Sequence, residues 1–356
     1  MPQSPARLHV LVVDDSAVVR TALQALLAKD PGITVAVASD PIIAMTKIKM
    51  SRPDVIVLDL QMPRMDGLTF LARLMAEQPL PVVVCSSQAG PSTEAALRAL
   101  MLGAVDLIPK PQIGVRDFLE HSVTQFIETI RGAAHARVNR RVMPAAPAAS
   151  VAVQPRAVSP EYRASDRVVA IGASTGGTEA LRQILSAMPA NGPAMVIVQH
   201  MPAGFTAAFA KQLSETCAIE VKEAADGDLL VNGRALVAPG NRHVHLVRSG
   251  SRYAVRVTDG APVSRHRPSV DVLFRSVAAV AGRNAVGVIM TGMGHDGAEG
   301  LRDMREAGAY TLAQDEASCV VFGMPREAIA RGGVDRVVSL SHLPAAILQS
   351  VQPAGH

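Results

Sequence analysis

Five side chains in the first third of the chain have the types and spacing for phosphoryl chemistry. Asp14 and Asp15 follow one short apolar run, Asp59 ends another, and Ser86 and Lys110 follow two more. Three carboxylates brought to one place repel one another unless a divalent cation neutralises them, and an all-oxygen ligand set beside a phosphate selects Mg²⁺. Such an ion withdraws charge from an incoming phosphoryl group while one carboxylate attacks it. Lys110 would pair with the resulting phosphate and the Ser86 hydroxyl would donate to it. A second set lies further on: Ser174 within GASTGG (172–177), His200 after the next apolar run, and Asp296 within TGMGHDG (291–297). A serine hydroxyl becomes a nucleophile when an imidazole takes its proton, and a carboxylate fixes that imidazole's tautomer and stabilises its cation. The first set reads as a metal-assisted phosphate-acceptor site and the second as a hydrolase triad.

The elements that must position the first set are legible between residues 8 and 131. Apolar runs at His9–Val13, Ile33–Ala38, Val55–Leu58, Val82–Cys85 and Val105–Ile108 alternate with helix-period segments near 17–29, 41–50, 67–77, 92–102 and 116–131. Near-continuous apolar strands spaced by helices predict an α/β, doubly wound, five-stranded parallel sheet. Ligands of such sheets sit beyond the carboxyl ends of the strands, where all five residues would converge. Residues 132–166 hold ten Ala, four Pro and five Arg and read as a linker. Helix could continue to about Arg141, before Pro144, Pro147, Pro155 and Pro160 forbid it. The expected organisation is residues 1–131, a linker at 132–166, and a second α/β domain with a mainly parallel sheet at 167–356.

In that second domain the strand Arg167–Ile171 runs into the Gly-rich turn and then a helix, Thr178–Ala187. Two readings compete: a turn that cradles a nucleotide phosphate at the helix N-terminus, or a sharp turn presenting a nucleophilic serine. The nucleotide fingerprint wants Gly where Ser174 stands and an acid ending the next strand, yet Ala194–Gln199 ends in His200, which favours the nucleophile. The strand Ala285–Met290 would deliver Asp296 to the same edge. The order Ser, His, Asp differs from that of the α/β-hydrolases, so this is not their nucleophile elbow. Backbone N–H groups after Ser174 and around Met293 could hold an oxyanion, and losing one such donor costs ~10²–10³ in rate. Of the other histidines, His243 and His245 alternate along a predicted strand and read as surface or pocket-lining. His266 in SRHRP reads equally as substrate loop or solvated surface, and His295, beside Asp296, is expected to point away from its neighbour's partner. Scattered histidines without ligand spacing do not predict a metal centre there.

Composition narrows the remaining classes. There is no Trp, aromatics are 3% of residues, and the formal charge is +4 with dispersed Arg, which does not indicate a nucleic-acid surface. Cys85, Cys217 and Cys319 show no paired spacing, which argues against structural zinc; Cys85 and Cys319 lie in apolar runs and fit buried thiols in a reducing cytoplasm. The N-terminal apolar run spans about five residues, unlike a signal peptide, and no run reaches the ~20 apolar residues of a membrane span. Direct membrane insertion is therefore not expected.

The motifs VVDDS, VLDLQMPRMDG, CSS and the Lys110-Pro111 pair, in strand order, resemble the response-regulator receiver family. That resemblance implies Asp59 as phospho-acceptor, Asp14 and Asp15 as holders of the metal, Ser86 as the switch hydroxyl and Lys110 as its lysine. Leu107 departs from the family, where many members carry an aromatic. GASTGGTEAL, QHMPAGFT, VAPGNRH, HRPSVDVLF, GVIMTGMGHDG and AQDEASCVVFGMPREAI resemble the chemotaxis protein-glutamate methylesterases. This second resemblance implies Ser174 as nucleophile, His200 as base, Asp296 as orienting acid and backbone assistance at Thr175 and Met293. His295 stands where the family motif carries Asn. The implied activity is hydrolysis of glutamate γ-methyl esters, and deamidation of glutamines, on methyl-accepting chemotaxis receptors. A chemotaxis histidine kinase would be the phosphodonor, and the ester chemistry would need no cofactor. The competing expectations are a phosphorylation-dependent binding module without hydrolase activity and a nucleotide-binding regulator.

Overall fold

The computed structural model describes residues 7–63, 65–87, 91–110, 119–138 and 167–352. Its contacts divide the chain into two compact units, Met1–Ala148 and Ala149–His356. The expected linker prolines and Arg141 lie outside the described residues.

The first unit alternates strand and helix: β1 (Leu8–Val13), α1 (Ala17–Leu27), β2 (Ile33–Ala38), α2 (Pro41–Met50), β3 (Val55–Leu58), α3 (Gly67–Glu77), β4 (Val82–Ser86), α4 (Pro91–Leu102), β5 (Asp106–Pro109) and α5 (Leu119–Ala134). The strands form one parallel sheet in the order β2-β1-β3-β4-β5. β3 and β4 are buried at every position, which is why they carry uninterrupted aliphatic sequence rather than alternation. Helix starts are fixed locally. Asp40 accepts from the N–H groups of Ile42 and Ile43, both at 2.9 Å, with Pro41 opening the helix, and Asp66 accepts from Thr69 at 2.9 Å. Ser86 closes β4 instead of following it, and α5 ends at Ala134, short of the Arg141 that helix propensity allowed.

The second unit contains β6 (Val168–Ala173), α6 (Gly177–Ser186), β7 (Ala194–Gln199), α7 (Thr206–Thr216), β8 (Glu220–Glu223), β9 (Arg234–Val237), β10 (His243–Ser249), β11 (Arg252–Thr258), α8 (Val270–Val280), β12 (Ala285–Ile289), α9 (Ala298–Glu306), β13 (Tyr310–Gln314), α10 (Met324–Ala330), β14 (Arg336–Val338) and α11 (Leu343–Val351). Seven strands build a sheet ordered β14-β13-β12-β6-β7-β9-β8. Each of its six neighbouring pairs is parallel. The antiparallel component is a separate hairpin of β10 and β11, tied to α8 where the Leu246 N–H donates to Ser276 Oγ at 2.8 Å. The core is aliphatic, with Phe274 of α8 its main aromatic. β6 is central: the chain leaves it toward β7 on one side and returns to β12 on the other. Such a reversal leaves a crevice at the carboxyl ends of the strands.

Candidate functional site

In the first unit the same reversal lies between β1 and β3, and the acidic residues meet there. Carboxylate oxygens of Asp14, Asp15 and Asp59 come within 4.8 Å of one another. Asp14 and Asp59 are buried whereas Asp15 is exposed. Lys110 reaches in from the end of β5, its Nζ 2.7 Å from Asp59 Oδ2 and 3.3 Å from Asp14 Oδ2. Burial pushes the Asp14 carboxyl up, and the Ser16 N–H and the Lys110 charge only partly oppose it. Burial acts downward on the Lys110 ammonium, but Asp59 and Asp14 together hold it above its usual value. Apart from that ammonium, no donor among the described residues reaches Asp14 Oδ2 or Asp59 Oδ2. Two buried carboxylate oxygens short of donors, with a third carboxylate at the surface, fit a hard cation that takes oxygen ligands. Ser86 is buried at the end of β4, and its carbonyl accepts the Lys110 N–H at 2.9 Å.

In the second unit register places the nucleophile candidate. Ala173 of β6 pairs with Gln199 of β7, so Ser174 and His200 are the next residues on two adjacent strands. The His200 N–H donates to Ala173 O at 3.0 Å. The buried Gln199 amide donates to the carbonyls of Ser174 (2.9 Å) and His200 (3.1 Å), locking the two strand ends together. On the other flank the Ser174 N–H donates to Thr291 O at 3.0 Å, which draws the loop after β12 alongside. Gly292 makes that approach possible, because a Cβ there would lie 2.7 Å from Ser174 Cβ. Thr291 Oγ1 in turn donates to Thr175 O at 2.9 Å. Thr175 and the loop containing Met293 thus flank Ser174.

Asp296 is 1% exposed and its carboxylate is saturated by donors. Oδ1 accepts from Ser269 Oγ (2.8 Å) and the Asp271 N–H (3.0 Å); Oδ2 accepts from the Val270 N–H (2.8 Å) and His200 Nε2 (2.8 Å). Three of these donors belong to the capped N-terminus of α8, whose dipole also favours an anion. Burial acts to raise the Asp296 carboxyl, but the His200 hydrogen bond, the charges of His200 and His266 and the Asp271 N–H outweigh it and hold it below the ordinary value. An ionised carboxylate accepts only, so His200 carries its proton on Nε2. Nδ1 then carries the lone pair, and it is buried with no hydrogen-bond partner among the described residues. His295 is exposed, as its position beside Asp296 suggested.

Sequence reasoning undervalued three groups. His266 stacks on His200, with ring centroids 3.7 Å apart and planes 8° from parallel. Parallel stacked rings hold their in-plane lone pairs side by side rather than converging, so these two histidines and Asp296 do not make a metal centre despite their proximity. His243 is buried, accepting the Ser269 N–H on Nδ1 (3.3 Å) and facing Ala261 O with Nε2 (3.0 Å), so it braces the residue that caps α8. Asp271 is buried too, accepting the Gly300 N–H at 2.7 Å. The capping signal Ser269, followed by an acid at Asp271 and an apolar helix period, was present in the sequence and marks the start of α8, though not that Asp296 docks there.

Family comparisons agree with this geometry. Residues 169–347 match the CheB methylesterase family and residues 10–121 match the response regulator receiver domain family. The chain belongs to the CheB methylesterase family. It is 56% identical to a protein-glutamate methylesterase/protein-glutamine glutaminase of Anaeromyxobacter dehalogenans, over 98% of this chain and 99% of the relative. A relative of the same name from Geobacter metallireducens is 54% identical over 96% of this chain and 99% of its own length. Among solved structures, the Thermotoga maritima CheB methylesterase catalytic domain matches with a TM-score of 0.50 and 35% identity, covering 51% of this chain and 97% of that one. Both units of this family member therefore have counterparts in known families, in the order the sequence implied.

Proposed function

We propose that this protein hydrolyses glutamate γ-methyl esters on methyl-accepting chemotaxis receptors, deamidates selected receptor glutamines by the same chemistry, and does so under control of phosphorylation at Asp59. The observation that carries the reading is His200 itself: one ring nitrogen is fixed on a fully saturated Asp296, and the other, which carries the lone pair, is buried with no partner among the described residues at the strand end beside Ser174. Full-length relatives named for both activities support it. Ser174 Oγ attacks the ester carbonyl carbon as His200 Nδ1 takes its proton. The N–H groups of Thr175 and Met293 receive the oxyanion. His200 returns the proton to the departing methoxide, and methanol leaves. Water, deprotonated by the same nitrogen, then hydrolyses the glutamyl-serine ester. Asp296 stays ionised throughout and stabilises the imidazolium through Nε2. A glutamine substrate follows the same course with ammonia as the leaving group.

The receiver unit is assigned residues 1–131, the linker 132–166 and the catalytic unit 167–356. Asp59 accepts the phosphoryl group from a histidine kinase. Asp14, Asp15 and Asp59 would hold Mg²⁺, which when bound supplies charge neutralisation for the transfer. Lys110 and Ser86 then hold the phosphate on Asp59 and pass its presence to the receiver surface. Among the described residues no helix is long and apolar enough to cross a membrane, and we place the protein in the cytoplasm, acting on the cytoplasmic portions of its receptors. The alternative of a binding module without hydrolase activity is not favoured by relatives that carry the enzyme name along their whole length. The test is methanol release from a methylated chemoreceptor by the purified full chain, with and without acetyl phosphate and Mg²⁺. Release that rises with acetyl phosphate, is insensitive to it in Asp59→Asn and is absent in Ser174→Ala is the expected result. A rate unchanged in Ser174→Ala would overturn the assignment.

A further inference from the structure

Hydrogen bonding alone does not hold His200 in its working orientation. The bond from Nε2 to Asp296 fixes one point of the ring, and among the described residues no partner holds Nδ1. A planar group pinned at one point can still swing about that point. What lies across its face is His266, at 3.7 Å and 8° from parallel.

His266 is delivered by a short hairpin whose conformation its sequence does not favour. Val263 and His266 exchange both backbone hydrogen bonds, at 3.0 and 2.9 Å, around the two residues Ser264 and Arg265. Both of these have positive φ, 49° and 67°. Two left-handed central residues define the tight turn that normally selects Asn-Gly, and neither Ser nor Arg adopts that conformation readily. Backbone strain of this kind concentrates where position matters more than local comfort.

The turn is fastened on both sides. The His266 Nδ1–H donates to Ser264 O at 2.7 Å, which sets the tautomer and the ring plane together. Ser264 Oγ donates to Asp271 Oδ2 at 3.3 Å, and Asp271 is anchored in α8 by the Gly300 N–H. On the far side Arg267 grips Asn241 Oδ1 with Nε (3.0 Å) and Nη2 (2.6 Å). The same helix end therefore holds the triad acid through backbone N–H groups and the stacking histidine through Asp271.

We propose that His266 is a positioning residue for the general base: clamped by Ser264 and Asp271, its ring fixes the plane of His200 so that Nε2 stays on Asp296 while Nδ1 faces Ser174. The inference rests on the proposed roles of Ser174 and His200. Burial, reinforced by the charge of His200, drives His266 down to about 3, so the ring is neutral at working pH. A neutral aromatic face is a suitable neighbour for the imidazolium that His200 becomes when it takes the serine proton, whereas a second cation there would oppose it. His266 itself exchanges no proton with substrate.

The test uses the full chain and a fluorophosphonate ester, which reports serine activation without a receptor. Ser174 Oγ bonds to phosphorus, fluoride leaves, and the serine proton passes to His200; intact mass gives the labelled fraction against time. Labelling of the wild type that is lost in Ser174→Ala establishes the nucleophile. No labelling of the wild type, or labelling that persists in Ser174→Ala, refutes the reading of the site on which the inference stands. Given the nucleophile, His266→Ala should lower the maximal labelling rate by about 10²-fold, the scale of a small misplacement of a reacting group, and leave the half-saturating concentration of reagent unchanged. His266→Phe, which restores a flat face, should recover most of that loss. Ser264→Ala, which cuts only the tie to Asp271, should fall between wild type and His266→Ala. A wild-type rate in folded His266→Ala, or no recovery in folded His266→Phe, would overturn the clamp while leaving the nucleophile assignment standing. If His266→Ala does not fold, the Phe and Ser264 variants decide: a Ser264→Ala rate equal to wild type refutes the clamp.

Discussion

Replacing His266 by Phe should change how the stability of the catalytic unit depends on pH. In the folded protein this imidazole is held at about 3, against 6.5 when exposed, with burial the main cause and His200 next. The groups facing it are His200, Asp296 and His295, with Asp271 reached through Ser264. A depressed folded value means that between pH 6.5 and about 3 the unfolded chain binds the extra proton, so stability is full above pH 6.5 and falls as the pH drops through that window. The slope inside the window is ~1.4 kcal/mol per pH unit. Acidification from pH 7 to pH 5 traverses about 1.5 units of it and costs roughly 2 kcal/mol. For a unit of this size that is about 4–8 °C in melting temperature. Phe does not titrate, so His266→Phe should lose this part of the decline while the other groups titrate in both proteins. Asp271 does not mimic the effect: burial raises its carboxyl, so its contribution has the opposite sign, diminishing as pH rises. The assay is the melting temperature of the catalytic unit within the full chain at pH 7, 6 and 5, for wild type and His266→Phe. Parallel curves would refute a half-buried His266 kept neutral by its surroundings.

Four further outcomes follow from the geometry. Asp296→Asn would face His200 Nε2 with an amide able to donate, favouring the tautomer that protonates Nδ1; ester hydrolysis should fall by about 10⁴, measured as methanol release. Gly292→Ala puts a Cβ 2.7 Å from Ser174 Cβ and 2.3 Å from Met324 Sδ, so hydrolysis should drop by about 10²-fold while acetyl phosphate still phosphorylates the receiver unit. Asp59→Asn should abolish the acyl phosphate seen by intact mass after acetyl phosphate and Mg²⁺, without altering labelling of Ser174 by the fluorophosphonate in the absence of phosphodonor. Cys85 is fully buried and burial raises its thiol, so iodoacetamide at pH 8 should spare it in the native protein and modify it after denaturation, as read by peptide mass.

How much of this was legible in sequence depended on whether the signal was local. The receiver strands announced themselves as short β-branched and aliphatic runs: the fully buried Val55–Leu58 and the half-buried edge strand Ile33–Ala38 fall where the pattern placed them. Chain order and strand ends then put Asp14, Asp59 and Lys110 on one edge, and Ser174 and His200 side by side, because every strand of a parallel sheet carries its ligand residues at the same end. What sequence could not supply was packing between distant segments. His266 occupies a polar stretch, and nothing in SRHRP reveals a turn with two positive φ values or a ring laid on His200. The roles of His243 and Asp271 were hidden for the same reason: each acts through the N-terminus of α8, and which loop docks there is decided by tertiary contact. The antiparallel hairpin of β10 and β11 illustrates the limit in the fold itself. Its alternating pattern marks two strands with one buried face, but not that they stand apart from the main sheet.

The two sites use one architectural position for opposite electrostatic ends. Both lie at the carboxyl edge of a parallel sheet where the strand order reverses, and both centre on buried carboxylates. In the receiver unit, Asp14 Oδ2 and Asp59 Oδ2 have no donor among the described residues beyond the Lys110 ammonium. Buried charge in that condition is costly, and a cation would relieve it; under the proposed role of Asp59 that relief would change when a phosphoryl group arrives. In the catalytic unit Asp296 receives four hydrogen bonds, three from one helix end. A carboxylate so satisfied has little to gain from a metal or a proton, which suits the orienting role proposed for Asp296. The difference lies in the donors that follow each strand: the loops of the receiver unit leave a deficit of positive charge, whereas the Ser269-capped start of α8 removes it. An added donor should therefore have opposite effects, weakening Mg²⁺ binding at the first site and leaving the second able to act.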